Sequence, residues 1–130
     1  MNTDIPLQTD HDAEGYSMIG AGFEVYNEMG NGYLDDVYQE SLELELHDQK
    51  IPFVPKPKLP IFYKVRSLRK QYEADLNIFD RIIIELKAVK ALLPEHEAQL
   101  LNYLKATGRR VRYLVHFGTF PKLDWRRRVR

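Results

Sequence analysis

The sequence predicts an α/β fold with a mixed central sheet of about four or five strands flanked by helices. Two observations carry this prediction. Apolar residues recur at helical spacing in the first 50 residues and again near residue 100, whereas short β-branched runs lie between these regions and after the second. At 130 residues, the chain is long enough for one domain with one core.

The first 50 residues predict an arm and two helices. Residues 1–16 are polar, acidic and aperiodic, so we expect a flexible arm there and a single folded domain over residues 17–130. Helical spacing over residues 17–29 predicts the first helix, and the turn Gly30-Asn31-Gly32 ends it. The second helix is predicted over residues 35–49, with an apolar face of Val37, Tyr38, Leu42, Leu44 and Leu46.

The middle of the chain predicts strands. Four prolines in residues 51–60 favour an edge strand or an extended segment. A short strand over 61–63 and a basic turn over 64–70 are predicted next. Residues 72–79 and 82–89 then predict a hairpin around Asp80-Arg81, because the run Ile82-Ile83-Ile84 is typical of a buried strand. A last strand is predicted over 111–117, before a basic tail.

Composition excludes several classes of site. There is no cysteine, which excludes disulfides, thiolate zinc sites and cysteine nucleophiles. The four histidines show no zinc-ligand spacing. Apolar runs fall far short of the ~18 residues of a membrane span. No basic segment followed by an apolar one resembles a secretion signal, so we expect a cytoplasmic location.

The net charge of zero conceals a division along the chain. Residues 1–50 hold 12 acidic side chains and one basic side chain, whereas residues 51–130 hold 7 acidic and 18 basic ones. This division predicts either a basic face suited to a phosphate backbone or two halves that pair with each other.

Asp75 and Glu85, with Lys87 two residues further on, form the strongest functional feature. Side chains alternate along a strand, so Glu85 and Lys87 share one face while Leu86 points into the core. Burying a carboxylate and an ammonium at a strand end is costly unless they pair or bind something. Two converging carboxylates suit Mg²⁺ or Mn²⁺, and a nearby lysine suits an anionic substrate such as a phosphodiester.

The metal-site hypothesis requires one hairpin register. A loop of three residues, 79–81, places Asp75 opposite Glu85 with their Cβ atoms roughly 5 Å apart on one face. A two-residue loop places them on opposite faces. One alternative is a surface salt bridge of Glu85 with Lys87 beside an exposed Asp75. Another is a structural or interaction protein whose acidic hairpin is accidental, which predicts Asp75 and Glu85 on opposite faces.

The helix predicted after the hairpin supports the site. It begins at Pro94 and ends at Gly108. His96, Gln99 and Tyr103 share one face, where Gln99 can hydrogen-bond a phosphate or orient a metal-bound water. The alternative is a solvated polar face. The side predicted to lie toward the sheet consists of Leu100, Leu101 and Leu104.

Two further features have alternative interpretations. Asp35 follows a glycine turn, where it acts either as a helix N-cap or as a third carboxylate at the metal site. In the tail, Arg126 and Arg127 beside Trp125 suit contacts with a nucleic-acid backbone. The alternative, which we favour slightly, is a strand whose Trp125 packs on the core while its arginines are solvated.

These pieces, in this order, resemble the small bacterial GxxExxY proteins of the PD-(D/E)xK nuclease superfamily. The resemblance covers residues 17–129, and its motifs are specific only in combination. It is carried by Ile19-Gly20-Ala21, Phe23-Glu24-Val25, Gly30-x-Gly32, Ile84 to Val89, Leu93-Pro94, His96 to Leu104, His116-Phe117-Gly118 and Pro121 to Arg127.

The resemblance implies a restriction-endonuclease-like core and a set of site residues. By position, Asp75, Glu85 and the Leu86 carbonyl correspond to metal ligands, Lys87 to the catalytic lysine, and Gln99 and Tyr103 to a Gln-x-x-x-Tyr helix motif. The chain departs from the family at Asp35, where the family has glutamate, and aspartate is one methylene shorter.

The combined prediction is a Mg²⁺- or Mn²⁺-dependent nuclease acting on DNA or RNA. Asp75, Glu85, Lys87 and Gln99 carry the chemistry, and Asp35 assists Asp75, Glu85 and the Leu86 carbonyl in holding the metal. Gln99 and His96 orient the phosphate or the water shell. The predicted substrate contacts are His96, Tyr103, Arg126 and Arg127. The alternative is a nuclease fold with weak or no catalysis that binds nucleic acid or a protein partner. A homodimer suits cleavage of two strands, although the sequence identifies no dimer face.

Overall fold

A computed structural model of the protein describes residues 12–129. Its helices are α1 (Asp12–Met29), α2 (Asp35–Asp48) and α3 (Pro94–Ala106). Its strands are β1 (Phe53–Pro55), β2 (Lys58–Tyr63), β3 (Arg66–Glu73), β4 (Leu76–Ile78), β5 (Ile82–Lys87), β6 (Val111–His116) and β7 (Asp124–Val129). No described helix is long and apolar enough to cross a membrane.

The predicted mixed sheet is confirmed. It has five strands in the order β1-β4-β5-β6-β7, in which β5 and β6 are parallel and all other neighbours are antiparallel. The parallel pair requires a crossover, which α3 provides between β5 and β6. β1 and β7 are the two edges, so the proline-rich segment does supply an edge strand.

A second sheet, formed by β2 and β3, continues the pairing of β1 with β4. Pro55 pairs with Leu76 and Lys58 pairs with Glu73, so both strand pairs share one register. Two backbone hydrogen bonds bridge the gap between them: the Lys56 amide donates to the Asp75 carbonyl at 3.0 Å, and the Ala74 amide donates to the Pro57 carbonyl at 3.1 Å. The two pairs therefore form a single antiparallel ribbon, interrupted at Asp75. Below, "the ribbon" means β2 and β3 with their connecting turn.

The predicted basic turn over residues 64–70 is wrong. Most of that segment belongs to β3, and the reversal is confined to the two residues between β2 and β3, where Lys64 adopts a φ of 54°. Arg and Lys have weak strand preference, so pairing with β2 decides the conformation. The predicted hairpin arm over 72–79 is likewise divided between β3 and β4.

The predicted arm over residues 1–16 lies largely outside the described residues. Within them, α1 already begins at Asp12, five residues before the predicted start. Gly15 explains why this turn lies close to the sheet: a Cβ there would lie 2.0 Å from the Tyr113 hydroxyl. The first turn of α1 is therefore part of the folded domain.

The two faces of the central sheet bury different cores. One face packs against α1 and α2 in a cluster that includes Met18, Leu42, Ile82, Ile84 and Leu86. A smaller cluster of Leu59, Ala74 and Ile83 lies on the other face, with Tyr72 against it. Two leucines predicted inside are exposed: Leu44 is 62% exposed and Leu101 is 41% exposed. Leu44 lies two residues from the buried Leu42 and Leu46, and Leu101 lies one residue after the buried Leu100.

Candidate metal centre

The candidate site lies at the end of β4, where the neighbouring strand β5 continues beyond it. The last described pair between these strands is Leu76 with Ile84, so β5 continues for three residues without β4. The side chain of Asp75 occupies this gap, and its Oδ2 accepts a hydrogen bond from the Leu86 amide at 2.7 Å. A carboxylate thus replaces the missing strand as the acceptor for a buried backbone donor.

The hairpin register places Asp75 and Glu85 on one face. Ile78 pairs with Ile82, which leaves the three-residue loop that the metal-site hypothesis requires. Leu76 and Leu86 belong to the large core, so the alternation of side chains directs Asp75 and Glu85 to the opposite face. The predicted register is confirmed, and the interpretation that puts the two acids on opposite faces is wrong.

Glu85 is a buried carboxylate with one described hydrogen-bond donor. It is 6% exposed, and its Oε1 accepts a hydrogen bond from the Tyr72 hydroxyl. Burial raises the pKa of Glu85 to about 8, and the charge of Asp75 adds to the rise. Tyr72, Lys87 and Arg112 oppose it. Without a cation, this site therefore favours a proton on Glu85 at neutral pH.

Asp75 is held by contacts from three segments. The Leu86 amide and the Lys56 ammonium, 3.6 Å from Oδ1, bind its carboxylate. Gln39 of α2 donates through Nε2 to its carbonyl at 2.9 Å. Burial raises the pKa of Asp75, and these hydrogen-bond donors and cations, with Lys87, counteract the rise. β5, α2 and the segment between β1 and β2 thereby fix the position of Asp75.

Two residues of the site, Tyr72 and Arg112, are not predicted from the sequence. Tyr72 donates to Glu85 and stacks on Tyr103 of α3, with ring centroids 4.1 Å apart and planes 8° apart. Burial and the neighbouring Glu85 raise the pKa of Tyr72, so the phenol stays a neutral donor. Arg112 is 2% exposed, and its attraction to Glu85 opposes the lowering of its pKa by burial. The one sequence signal for Arg112 is its position as a charged residue inside the apolar run 111–115.

The backbone of β5 also presents a carbonyl to the site. The Lys87 carbonyl accepts from the Phe117 amide at 2.7 Å, on the side toward β6. Because successive residues of a strand direct their polar groups to opposite sides, the Leu86 amide and carbonyl both face Asp75. Lys87 is half-buried, and its charge lowers the pKa of both carboxylates.

This donor set fits a hard divalent cation. Two carboxylates and a carbonyl are oxygen ligands, and Mg²⁺ is commonly bound by one or two carboxylates with water and substrate phosphates completing its shell. Among the residues that the structure describes, no three Asp, Glu, His or Cys side chains come together. The candidate centre is therefore a two-carboxylate site, and a bound cation would offset the mutual repulsion of Asp75 and Glu85.

Three further predicted site residues make no described hydrogen bond or ion pair with Asp75 or Glu85. Asp35 is exposed in the first turn of α2, where Leu34 is the N-cap, and the structure does not bring it into a group with Asp75 and Glu85. His96 accepts a hydrogen bond from the Leu93 amide at 3.2 Å, which caps the start of α3. Gln99 is exposed on the helix face one turn before Tyr103.

The arginines of the tail divide between the two faces of β7. Arg126 pairs with Glu97 and approaches Asp124 at 3.8 Å, and Arg128 binds Glu97 at 2.8 Å. Arg127 lies opposite Tyr113, which faces the large core, so it shares that face with Trp125. The favoured interpretation is confirmed for the strand and for Trp125 against the core. Its prediction of solvated arginines is wrong, because Arg126, Arg127 and Arg128 are all part-buried and two of them pair with Glu97.

Comparison with known proteins gives a family and a fold. A model of the PD-(D/E)XK nuclease superfamily matches residues 12–128. A solved structure described as "Crystal structure of SSO0001" is similar to 72% of the chain, with a TM-score of 0.56 and 21% identity. The chain covers 48% of that structure, about half of its length. No protein with a curated description matches the chain.

Proposed function

The chain belongs to the PD-(D/E)XK nuclease superfamily, and we propose that it is a Mg²⁺-dependent nuclease that hydrolyses phosphodiester bonds in DNA or RNA. The observation that carries the proposal is the convergence of Asp75 and Glu85 on one face beside Lys87. Mn²⁺ has the same ligand preference and is the alternative cation. Within the superfamily we assign the chain to the GxxExxY type.

That finer assignment is supported by the contacts of the glycine turn. The Tyr38 hydroxyl donates to the Gly30 carbonyl at 2.6 Å and accepts from the Tyr33 amide at 3.2 Å. Gly32 adopts a φ of 109°, which glycine allows at little cost. The Gly and Tyr of the Gly-x-x-x-x-x-Tyr pattern therefore both stabilise this turn. Asp35, which lies between them, is exposed and is not grouped with Asp75 and Glu85.

Each residue of the site has a defined task in this proposal. Asp75, Glu85 and the Leu86 carbonyl hold the cation. When bound, Mg²⁺ lowers the pKa of a water molecule and neutralises charge on the scissile phosphate. Lys87 binds the phosphate and stabilises the negative charge that develops on it. Tyr72 and Arg112 lower the pKa of Glu85 and so favour the ionised form that binds the cation, and Gln99 and Tyr103 contact the substrate from α3.

The test is cleavage of plasmid, linear single-stranded DNA and RNA with Mg²⁺ or Mn²⁺. The variants are Glu85→Gln and Asp75→Asn, which keep shape and remove charge, and Glu40→Gln is a control at an exposed acid. We expect cation-dependent cleavage that only the two site variants lose. Calorimetry with Mg²⁺ should show the same loss of binding.

The second candidate is a nuclease fold that binds nucleic acid or a protein without cutting. It is favoured by the exposed position of Asp35, which leaves the centre with two carboxylates. Absence of both cleavage and cation binding in the wild type would replace the first proposal with this one. In either case we expect a cytoplasmic protein, and measurement of its mass in solution tests the homodimer.

A further inference from the structure

The ribbon is an exposed basic element beside the candidate centre. It carries five cations against one acid, Glu73, and all six side chains are exposed. Among the described residues, none of these cations forms an ion pair with a carboxylate. By contrast, the arginines of β7 on the site face are paired with Glu97. The cations of the ribbon are Lys58, Lys64, Arg66, Arg69 and Lys70.

A cavity of about 470 Å³ lies between the ribbon and the C-terminal end of α3. Its volume is within the ~300–1,000 Å³ typical of small-molecule sites. The ribbon contributes Phe62 and Lys64, and α3 with the turn after it contributes Asn102, Lys105, Ala106 and Gly108. It therefore combines an aromatic ring, an amide and two ammonium groups.

We propose that this cavity binds one nucleotide of a single-stranded nucleic acid and that the cations of the ribbon bind the adjoining phosphates. Phe62 lines the cavity and is 45% exposed, so its ring is accessible for stacking on a base. Asn102 offers a donor and an acceptor to a base edge. Lys64 and Lys105 neutralise phosphates, as a single strand requires along its backbone.

The occupant follows from the chemistry of the lining. Stacking on Phe62 requires an unpaired base, because the faces of paired bases are covered by their neighbours in the duplex. A peptide of acidic residues would use the lysines but would leave the ring and the amide without a partner.

The cavity is connected to the metal centre through two elements. Asn102 and Lys105 flank Tyr103, which stacks on Tyr72, the donor to Glu85. The chain runs from the end of β3 at Glu73 directly to Asp75. A single-stranded nucleic acid bound in the cavity would therefore extend along these elements toward Asp75 and Glu85. This inference rests on the proposed function for the nature of its ligand.

The test is binding of a fluorescein-labelled oligothymidylate in EDTA, measured by anisotropy, so that cleavage plays no part. We expect Phe62→Ala to weaken binding roughly 5- to 100-fold and Phe62→Trp to restore it. The double variant Lys64→Ala/Lys105→Ala should also reduce the slope of log affinity against log salt by about 1.4. Phe120→Ala and Lys122→Ala, exposed residues elsewhere, are the matched controls.

The outcomes separate this proposal from the nuclease proposal. Wild-type affinity in both the Phe62 and the lysine variants overturns the nucleotide site, whether or not the protein cuts. Equal binding of a blunt duplex and the single strand overturns it as well. Binding that requires Phe62 in a protein that cuts no substrate supports the site and contradicts only the nuclease. Thermal unfolding of each variant verifies that the exposed substitutions leave the fold intact.

Discussion

Removal of the Tyr72 hydroxyl should weaken cation binding by a predictable amount. Tyr72 is the described hydrogen-bond donor to Glu85, and Tyr72→Phe deletes it while leaving a ring to stack on Tyr103. A hydrogen bond to a charged group contributes ~1.5–3 kcal/mol. Since one pKa unit corresponds to ~1.4 kcal/mol, the pKa of Glu85 should rise by roughly one to two units from about 8.

The sign of the effect on Mg²⁺ follows from competition with the proton. Below the pKa of Glu85, each unit of increase lowers the ionised fraction about tenfold. The apparent Mg²⁺ affinity at pH 7 should therefore fall roughly 10- to 100-fold in Tyr72→Phe. The difference should shrink as the pH approaches 9, because the wild type gains less from further deprotonation than the variant does.

Calorimetric titration with Mg²⁺ at several pH values between 6.5 and 9 provides the measurement. Tyr103→Phe is the matched control, because it makes the same change on the other ring of the stacked pair and no described hydrogen bond uses its hydroxyl. Equal Mg²⁺ affinity in wild type and Tyr72→Phe at pH 7 would refute the assignment of Tyr72 as a group that stabilises the ionised form of Glu85.

Three other outcomes are expected. Lys87→Ala should lose at least ~100-fold in cleavage rate but keep its fold by circular dichroism and its Mg²⁺ binding by calorimetry, so near-normal cleavage would exclude its catalytic task. Without metal, the free energy of unfolding measured by urea denaturation should fall as the pH rises from 4.5 to about 8, because the folded state retains the Glu85 proton that the unfolded state releases. Glu85→Gln removes this proton and should flatten the dependence of the unfolding free energy on pH in that range. Gly118→Ala places a Cβ 1.8 Å from the Val89 carbonyl oxygen and should cost ~1–3 kcal/mol of stability in urea, whereas Gly20→Ala, with open space in α1, should be neutral or stabilising.

The carboxylate pair could be predicted from the sequence because its geometry is local. The apolar run of β5 identifies a buried strand, and the count of residues between Asp75 and Glu85 limits the registers to two. The alternation of side chains then determines which face each acid occupies. A hairpin closes over a few residues, so no long-range contact is needed to place these two side chains.

The surroundings of the pair depend on contacts that the sequence does not encode locally. Tyr72 reaches Glu85 only because the ribbon packs on the face of the central sheet that carries Ile83, where Tyr72 stacks on Tyr103 of α3. The cations of β3 gave this segment no recognisable strand pattern in the sequence. Arg112 comes to Glu85 through the parallel pairing of β5 with β6, across the whole of α3. Non-local pairings of this kind override weak local preferences.

The energetic cost of the site argues for its use. A fold selected only for stability would not retain Glu85 at 6% exposure beside Asp75, where burial and repulsion both disfavour its ionised form. Replacement of a buried ionic group by well-packed apolar residues is commonly neutral or stabilising, and β5 is otherwise apolar through Leu86. Two polar residues lower this cost: Arg112, which is itself buried, and Tyr72, which is partly buried. In the proposed function, a divalent cation at the end of β4 would stabilise the ionised form of Glu85 and so offset the cost of burying it.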